Sequence, residues 1–365
     1  MTTTLEREKK IRRKSRRPSK LLATPEQELA MLRHEVKDLR RRNLRLADEE
    51  VQRLTVRQVV ADALAEAPPV VVGVVVQKSL SAPVTRKPSD VAIACYPQTD
   101  WHTGLEVKPG EIQDYNSYSW KIAERRRREA LGRFIEWLEM HRQVYDIREC
   151  VVPGLGDWND GTIHLENLMF CEFSTPQAAV RSGQALGGLL LELANHFKVV
   201  RYEGLGGAGN HDRIFVKPIY TGNADWSWTT VVHEVARDVA SRASDKIVFN
   251  VHQGVRAEFS IRGKVFLADH GDSVRTYTGG LPWYGMQHLQ DQEARRRAAA
   301  HKPPVDYFLF GHWHQEDKQR DRIVLPSLCG TTPYDHKAGR YSPPGQTCFL
   351  IGRRGVFNYM CMDLS

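Results

Sequence analysis

Five short polar clusters recur along this chain: Asp100-Trp101-His102, Gly156-Asp157-Trp158-Asn159-Asp160, Gly209-Asn210-His211-Asp212, His270-Gly271-Asp272 and Gly311-His312-Trp313-His314. Each follows a short apolar run, and successive clusters lie about 40 to 60 residues apart. Carboxylates, imidazoles and a carboxamide so far apart in sequence meet only if the strands before them share a sheet edge. The spacing therefore predicts a layered α/β domain with polar loops at its strand ends. Asp and His are ligands for borderline divalent cations, and alternate residues of an extended segment face one way. One carboxylate can bridge two ions, and two ions about 3.5–4 Å apart clamp both oxygens of a phosphoryl displacement. Glycines beside the clusters let backbone approach closely and turn sharply. A lone Asp-x-His or Gly-Asp is more often a loop cap than a ligand pair; the ordered set of five carries the reading.

The apolar runs fit that layout. Val91–Tyr96, Val151-Val152, Val199–Tyr202, Lys246–Val251, Ala257–Ile261, Val265–Ala268 and Tyr307–Phe310 read as strands. Lys121–Tyr145, with Leu131, Phe134, Ile135 and Leu138 on one face, and Pro176–Phe197 read as helices. No apolar run approaches the roughly 18 residues of a membrane span, the longest being Val70–Val76. Six scattered cysteines without a C-x-x-C indicate neither a disulfide framework nor a zinc finger. The basic start is not followed by an apolar signal region, so a cytoplasmic protein free of membrane contact is expected.

The chain carries a net charge of +8, and residues 1–60 hold 17 Lys and Arg against 9 Asp and Glu. The whole surplus thus sits in an N-terminal arm. Residues 1–23 read as a basic disordered tail suited to phosphate backbones, or as a solvated tail. Thr24-Pro25-Glu26-Gln27 is a helix start. Leu29, Leu32, Val36, Leu39, Asn43 and Leu46 then alternate by three and four, a heptad seam with Asn at an a position, as in parallel dimers. Residues 24–66 are therefore expected to be helical, with a homo-oligomeric coiled coil through residues 25–54. A helix packed on its own domain is the alternative. Residues 67–88 read as a linker, and 89–365 as the chemical domain.

The five motifs, D-x-H, G-D-x-x-D, G-N-H-D, H-G and G-H-x-H in that order, resemble the calcineurin-like metallophosphoesterase superfamily over roughly residues 89–330. The resemblance implies a sandwich of two sheets flanked by helices and two divalent metal ions, manganese first, with iron or zinc as alternatives. It implies that Asp100, His102 and His314 bind one ion, that Asn210, His270 and His312 bind the other, and that Asp157 bridges them. A metal-bridging hydroxide would be the nucleophile, His211 would protonate the leaving oxygen, and Asp160 would orient His211. Asp160-Gly161 and the Gly-Asn-His-Asp ending are more similar to nucleases and nucleotide phosphodiesterases than to protein Ser/Thr phosphatases. The stretch from His270 to Gly285 is similar to phage-encoded members of the SbcD-type DNA repair exonuclease branch, which would place the protein in a host cytoplasm. The likeness does not extend to the C-terminal capping and partner-binding regions of that branch, so no ATPase partner is implied.

The function expected is hydrolysis of nucleic-acid phosphodiesters, DNA above RNA. A small-molecule phosphoesterase and a non-catalytic scaffold are the competing classes, and an intact His211 argues against the scaffold. Trp283 and Tyr284 lie in a Gly/Pro-rich stretch and could stack bases or simply pack the loop. Trp101, Trp158 and Trp313 are expected to wall the site. Arg125–Arg128 and Arg295–Arg297 read as solvated helix faces, and His164 and His301 as surface residues.

Overall fold

The computed structural model describes residues 90–365 other than 162, 164–168, 208, 216, 218–224, 243 and 275–279. The expected tail, coiled-coil helix and linker, and His164, lie outside the described residues.

Strands β1 (Asp90–Cys95), β2 (Tyr145–Gly154), β3 (Val199–Leu205) and β4 (Ile247–His252) pair in parallel, in that spatial order. Parallel pairing needs long crossovers. Helices α1 (Trp120–Arg142), α2 (Thr175–His196) and α3 (Trp228–Ser241) supply them. Each begins where the sequence can satisfy the first free N–H groups: Ser119 accepts from Ile122 N, Ser174 and Gln177 form a capping box, and Ser227 accepts from Thr229 N. Beside β1 the sheet continues through antiparallel β10 (Gly345–Gly352) and β11 (Gly355–Asp363).

The second sheet runs β5 (Arg256–Ile261), β6 (Lys264–Asp269), β7 (Tyr307–Phe310), β9 (Arg322–Val324) and β8 (Asp317–Lys318). Between the sheets lies a dry core in which Cys95, Val151, Leu155, Leu205 and Phe349 meet Ala257, Phe259, Phe266, Leu309 and Ile323. Helix α4 (Trp283–Ala299) covers the second sheet, burying Met286 and Leu289 against Phe308, Phe310 and Val324. The result is the expected two-sheet α/β sandwich flanked by helices. No helix among the described residues is long and apolar enough to cross a membrane.

Three expectations change. Trp283 and Tyr284 are not in a loop; they open α4. The arginine runs are not merely solvated. Arg126 is buried and donates to Leu328 O, Cys329 O and Asn116 Oδ1, while Arg297 is buried against Glu258 and Glu293. Strands also continue past Tyr307–Phe310, the last one read from the sequence, through β8, β9, β10 and β11. β10 is buried on both faces and so shows no polar alternation to read. Helix α3 went unread because its Thr and Val content lowers helix propensity.

Candidate metal centre

The parallel arrangement aims the carboxyl ends of β1, β2 and β3 at one point, and parallel β6 and β7 aim theirs at it from the second sheet. Pairing persists beyond the strands. Asp100 N donates to Gly156 O, His102 N to Asp157 O and Gly311 N to His270 O, which fixes the loops in register. Gly161, Gly209 and Gly311 permit close approaches, a Cβ on Gly161 falling 1.7 Å from His211 O. A Cβ on Gly209 would sit 2.4 Å from Asp157 Oδ1, and one on Gly311 would sit 2.6 Å from Asp100 Oδ2.

All nine expected residues gather here. His102 Nε2 and His314 Nε2 face each other at 3.1 Å, with Asp100 Oδ1 at 3.8 Å and 3.6 Å from them and Asp157 Oδ2 at 3.9 Å from His102. Asp157 also belongs to a second group of mutually close ligand atoms with His270 and His312. Its Oδ2 lies 3.0 Å from His270 Nε2, yet that nitrogen makes no hydrogen bond. Asn210 Oδ1 is likewise buried and unpartnered. Asn210 stands between Gly209, which abuts Asp157, and His211, whose N–H donates to Asp157 Oδ1 at 2.9 Å.

Converging, unpartnered nitrogen and oxygen donors of this kind fit cations; a polar cluster satisfied by itself would have closed these contacts. The ring tautomers agree. His270 Nδ1 donates to Leu155 O, His314 Nδ1 to Asp335 Oδ2 and His102 Nδ1 to Asp160 Oδ1, which turns each Nε2 inward. Asp160 Oδ1 also accepts from His211 Nδ1 at 2.9 Å.

The electrostatics favour positive charge. Burial alone would raise the Asp157 carboxyl, but the His270 and His211 imidazoles hold it well below the usual carboxylate range. Asp160 is held down at about 2 against its burial by hydrogen bonds from His102 and His211. His270 rises to about 10, because Asp157 and Asp100 outweigh the desolvation that opposes its charge. His312, desolvated and beside His270, falls to about 3.

The backbone is strained at the same positions. Asp100, His102, Asp157, His312 and His314 all adopt positive φ, between 45° and 73°. Left-handed backbone is uncommon outside glycine and costs about 1–3 kcal/mol per residue, so it persists only where the surroundings impose it.

Sequence reasoning missed the shell behind the centre. Asp335 also accepts from Thr332 N and Oγ1 and pairs with Arg340, while Asp212 accepts from Trp158 N, Asn159 N and Thr229 Oγ1. Burial, reinforced by Asp157, pushes Asp212 up to about 7. Trp101, Trp158 and Trp313 are buried and wall the site, as expected. His301 is exposed.

No protein-family model matches the chain, and no curated protein does. Among solved structures the chain is similar to an archaeal phosphodiesterase (TM-score 0.34, 10% identity, 74% of this chain and 99% of that one). It is also similar to zinc-bound Vps29 from Entamoeba histolytica (TM-score 0.27, 11% identity, 74% and 99% of the two chains). A third similar structure is a protein of unknown function from Aquifex aeolicus (TM-score 0.27, 12% identity, 64% and 89%).

Proposed function

We propose that this protein is a dinuclear metal-dependent phosphodiesterase of the calcineurin-like type, acting on nucleic acid and related to the SbcD-type exonucleases. One observation carries the reading: two groups of converging buried ligand atoms share Asp157 on strained backbone, and His270 Nε2 and Asn210 Oδ1 in the second group make no hydrogen bond. Asp100, His102 and His314 would hold one ion, Asn210, His270 and His312 the other, with Asp157 between them. Such ions acidify water and neutralise charge gathering on phosphoryl oxygens. Imidazole-rich coordination suits manganese, iron or zinc better than magnesium.

The chain's own residues supply the remaining chemistry. Water attacks phosphorus and releases a proton to solvent, the bond to the leaving oxygen breaks, and that oxygen takes a proton from His211. Asp160 holds Nδ1–H of His211, so the acid is the doubly protonated ring and its Nε2 proton is the one given up. The same carboxylate oxygen braces His102. Proton delivery and cation binding therefore share one acceptor. Trp101 and Trp158, packed edge to face at 4.9 Å, keep the loops behind this acceptor dry.

The deciding experiment is a cleavage panel with added manganese, iron, zinc or magnesium on single- and double-stranded DNA, RNA, cyclic nucleotides and a chromogenic phosphodiester. Cleavage of nucleic acid is expected. Cleavage of the small esters alone would make the protein a small-molecule phosphoesterase, and cleavage of nothing would make it a scaffold.

A further inference from the structure

The loop after β9 does two things at once. On its inner side, Leu328 N donates to Asp100 O, and Asp335 of the short helix α5 (Pro333–Lys337) holds His314. On its outer side three tyrosines project into solvent: Tyr115, 55% exposed, Tyr334, 73%, and Tyr341, 57%. Tyr115 lies 5.8 Å, ring centre to ring centre, from both Tyr341 and His336, tilted by 59° and 41°. No two of these rings cover each other face to face. The Arg340 guanidinium sits 5.1 Å from the Tyr334 ring and also pairs with Asp335, and Lys337 is exposed beside it.

This patch is pinned. Next to Tyr115, the buried Asn116 donates to Cys329 O and Thr331 O, and Arg126 in turn donates to Asn116. Next to Tyr341, Ser342 exchanges two hydrogen bonds with the Thr331 hydroxyl. Tyr334 is followed directly by Asp335. Tyr334 and Tyr341 thus stand on the segment that also braces the candidate metal centre, and Tyr115 is tied to it through Asn116. Anchored, exposed aromatic rings mixed with cations are what unpaired bases stack on, irrespective of sequence. Trp283 and Tyr284 stand instead on α4, which packs on the second sheet.

We propose that Tyr115, Tyr334 and Tyr341 form a base-stacking platform that holds single-stranded nucleic acid beside the metal centre, a proposal that rests on the phosphodiesterase reading. Duplex DNA keeps its bases stacked inward and would gain little from it.

The test uses the full chain, a variant with Tyr115→Ala, Tyr334→Ala and Tyr341→Ala, and a matching variant with Phe at the three positions. Fluorescence anisotropy follows binding of a mixed-sequence single-stranded DNA, its RNA counterpart and its duplex. Turnover of a chromogenic phosphodiester and metal stoichiometry are measured in parallel. The alanine variant should lose single-strand affinity on the order of ten-fold per stacked base. The Phe variant should keep it, while duplex affinity, chromogenic turnover and metal content stay at wild-type values. Unchanged single-strand affinity in the alanine variant would overturn the platform and leave the patch to a protein partner. Loss of metal or chromogenic turnover would also overturn it, reducing the tyrosines to structural supports. If the wild-type protein cleaves no diester yet the alanine variant still loses single-strand affinity, the phosphodiesterase reading fails and the platform stands.

Discussion

The two halves of the candidate centre are braced differently. Around Asp100, His102 and His314, each imidazole is backed by a carboxylate: Asp160 behind His102 and Asp335 behind His314. In the half built by Asp157, Asn210, His270 and His312, the backing of His270 is a backbone carbonyl, Leu155 O. A carboxylate makes its imidazole a stronger donor and can be removed by mutation; a carbonyl does neither. The first half is tunable from outside, while the second is fixed by the fold.

Asp157 belongs to both halves, so its loss should erase the distinction. Asp157→Asn is expected to reduce metal content from two ions to fewer than one and turnover to background, read by elemental analysis and by hydrolysis of a chromogenic diester. Retention of both ions would show that the halves do not share this carboxylate.

His211 should behave in the opposite way. His211→Ala is expected to keep both ions and slow hydrolysis of a natural phosphodiester by about 10²–10⁴-fold. An activated nitrophenyl ester, whose leaving group needs no proton, should suffer much less. Equal defects on the two substrates would remove His211 from the acid role.

The asymmetry itself is tested at Asp335. Asp335→Asn should weaken one of the two ions by about 10–100-fold and leave the other unchanged, as resolved by titration calorimetry. A uniform loss at both sites would mean that the short helix α5 supports the whole centre.

The smallest effect on chemistry is expected from the arm. We propose that residues 25–54 pair two chains in parallel, bringing two basic tails together. A chain starting at Pro88 should be a smaller oligomer by light scattering, with weaker and less salt-dependent nucleic-acid binding. Its chromogenic turnover should equal that of the full chain. Unaltered mass and salt dependence would reduce the arm to a packed helix with a solvated tail.

What could be read from the sequence was the part whose chemistry is local to a strand end. Asp100, His102, Asp157 and the others announce themselves by residue type, by adjacent glycine and by order. The bracing groups do not. Asp335 sits in Thr332-Pro-Tyr-Asp335 and reads as an ordinary helix cap, which it also is. Its second role exists only once the segment that carries it folds against the loop of His314. Arg126 lies in a run of four arginines, and nothing local separates it from Arg125 and Arg128, which face solvent. Asn116 acquires its partners from residues more than 200 positions away. Strands fared likewise: those preceding a cluster were legible, whereas β10 and β11, which carry no ligand, were not.

The five left-handed residues have a consequence for how such a centre could decay. Each costs the fold about 1–3 kcal/mol, so together they are comparable with the 5–15 kcal/mol that holds a typical domain folded. A lineage that kept this sandwich only as a docking surface would gain stability from nearly every drift toward glycine or asparagine at those positions. Relaxation there would be among the first marks of abandoned chemistry. In this chain all five carry Asp or His, ligand types in a conformation that glycine would adopt more cheaply.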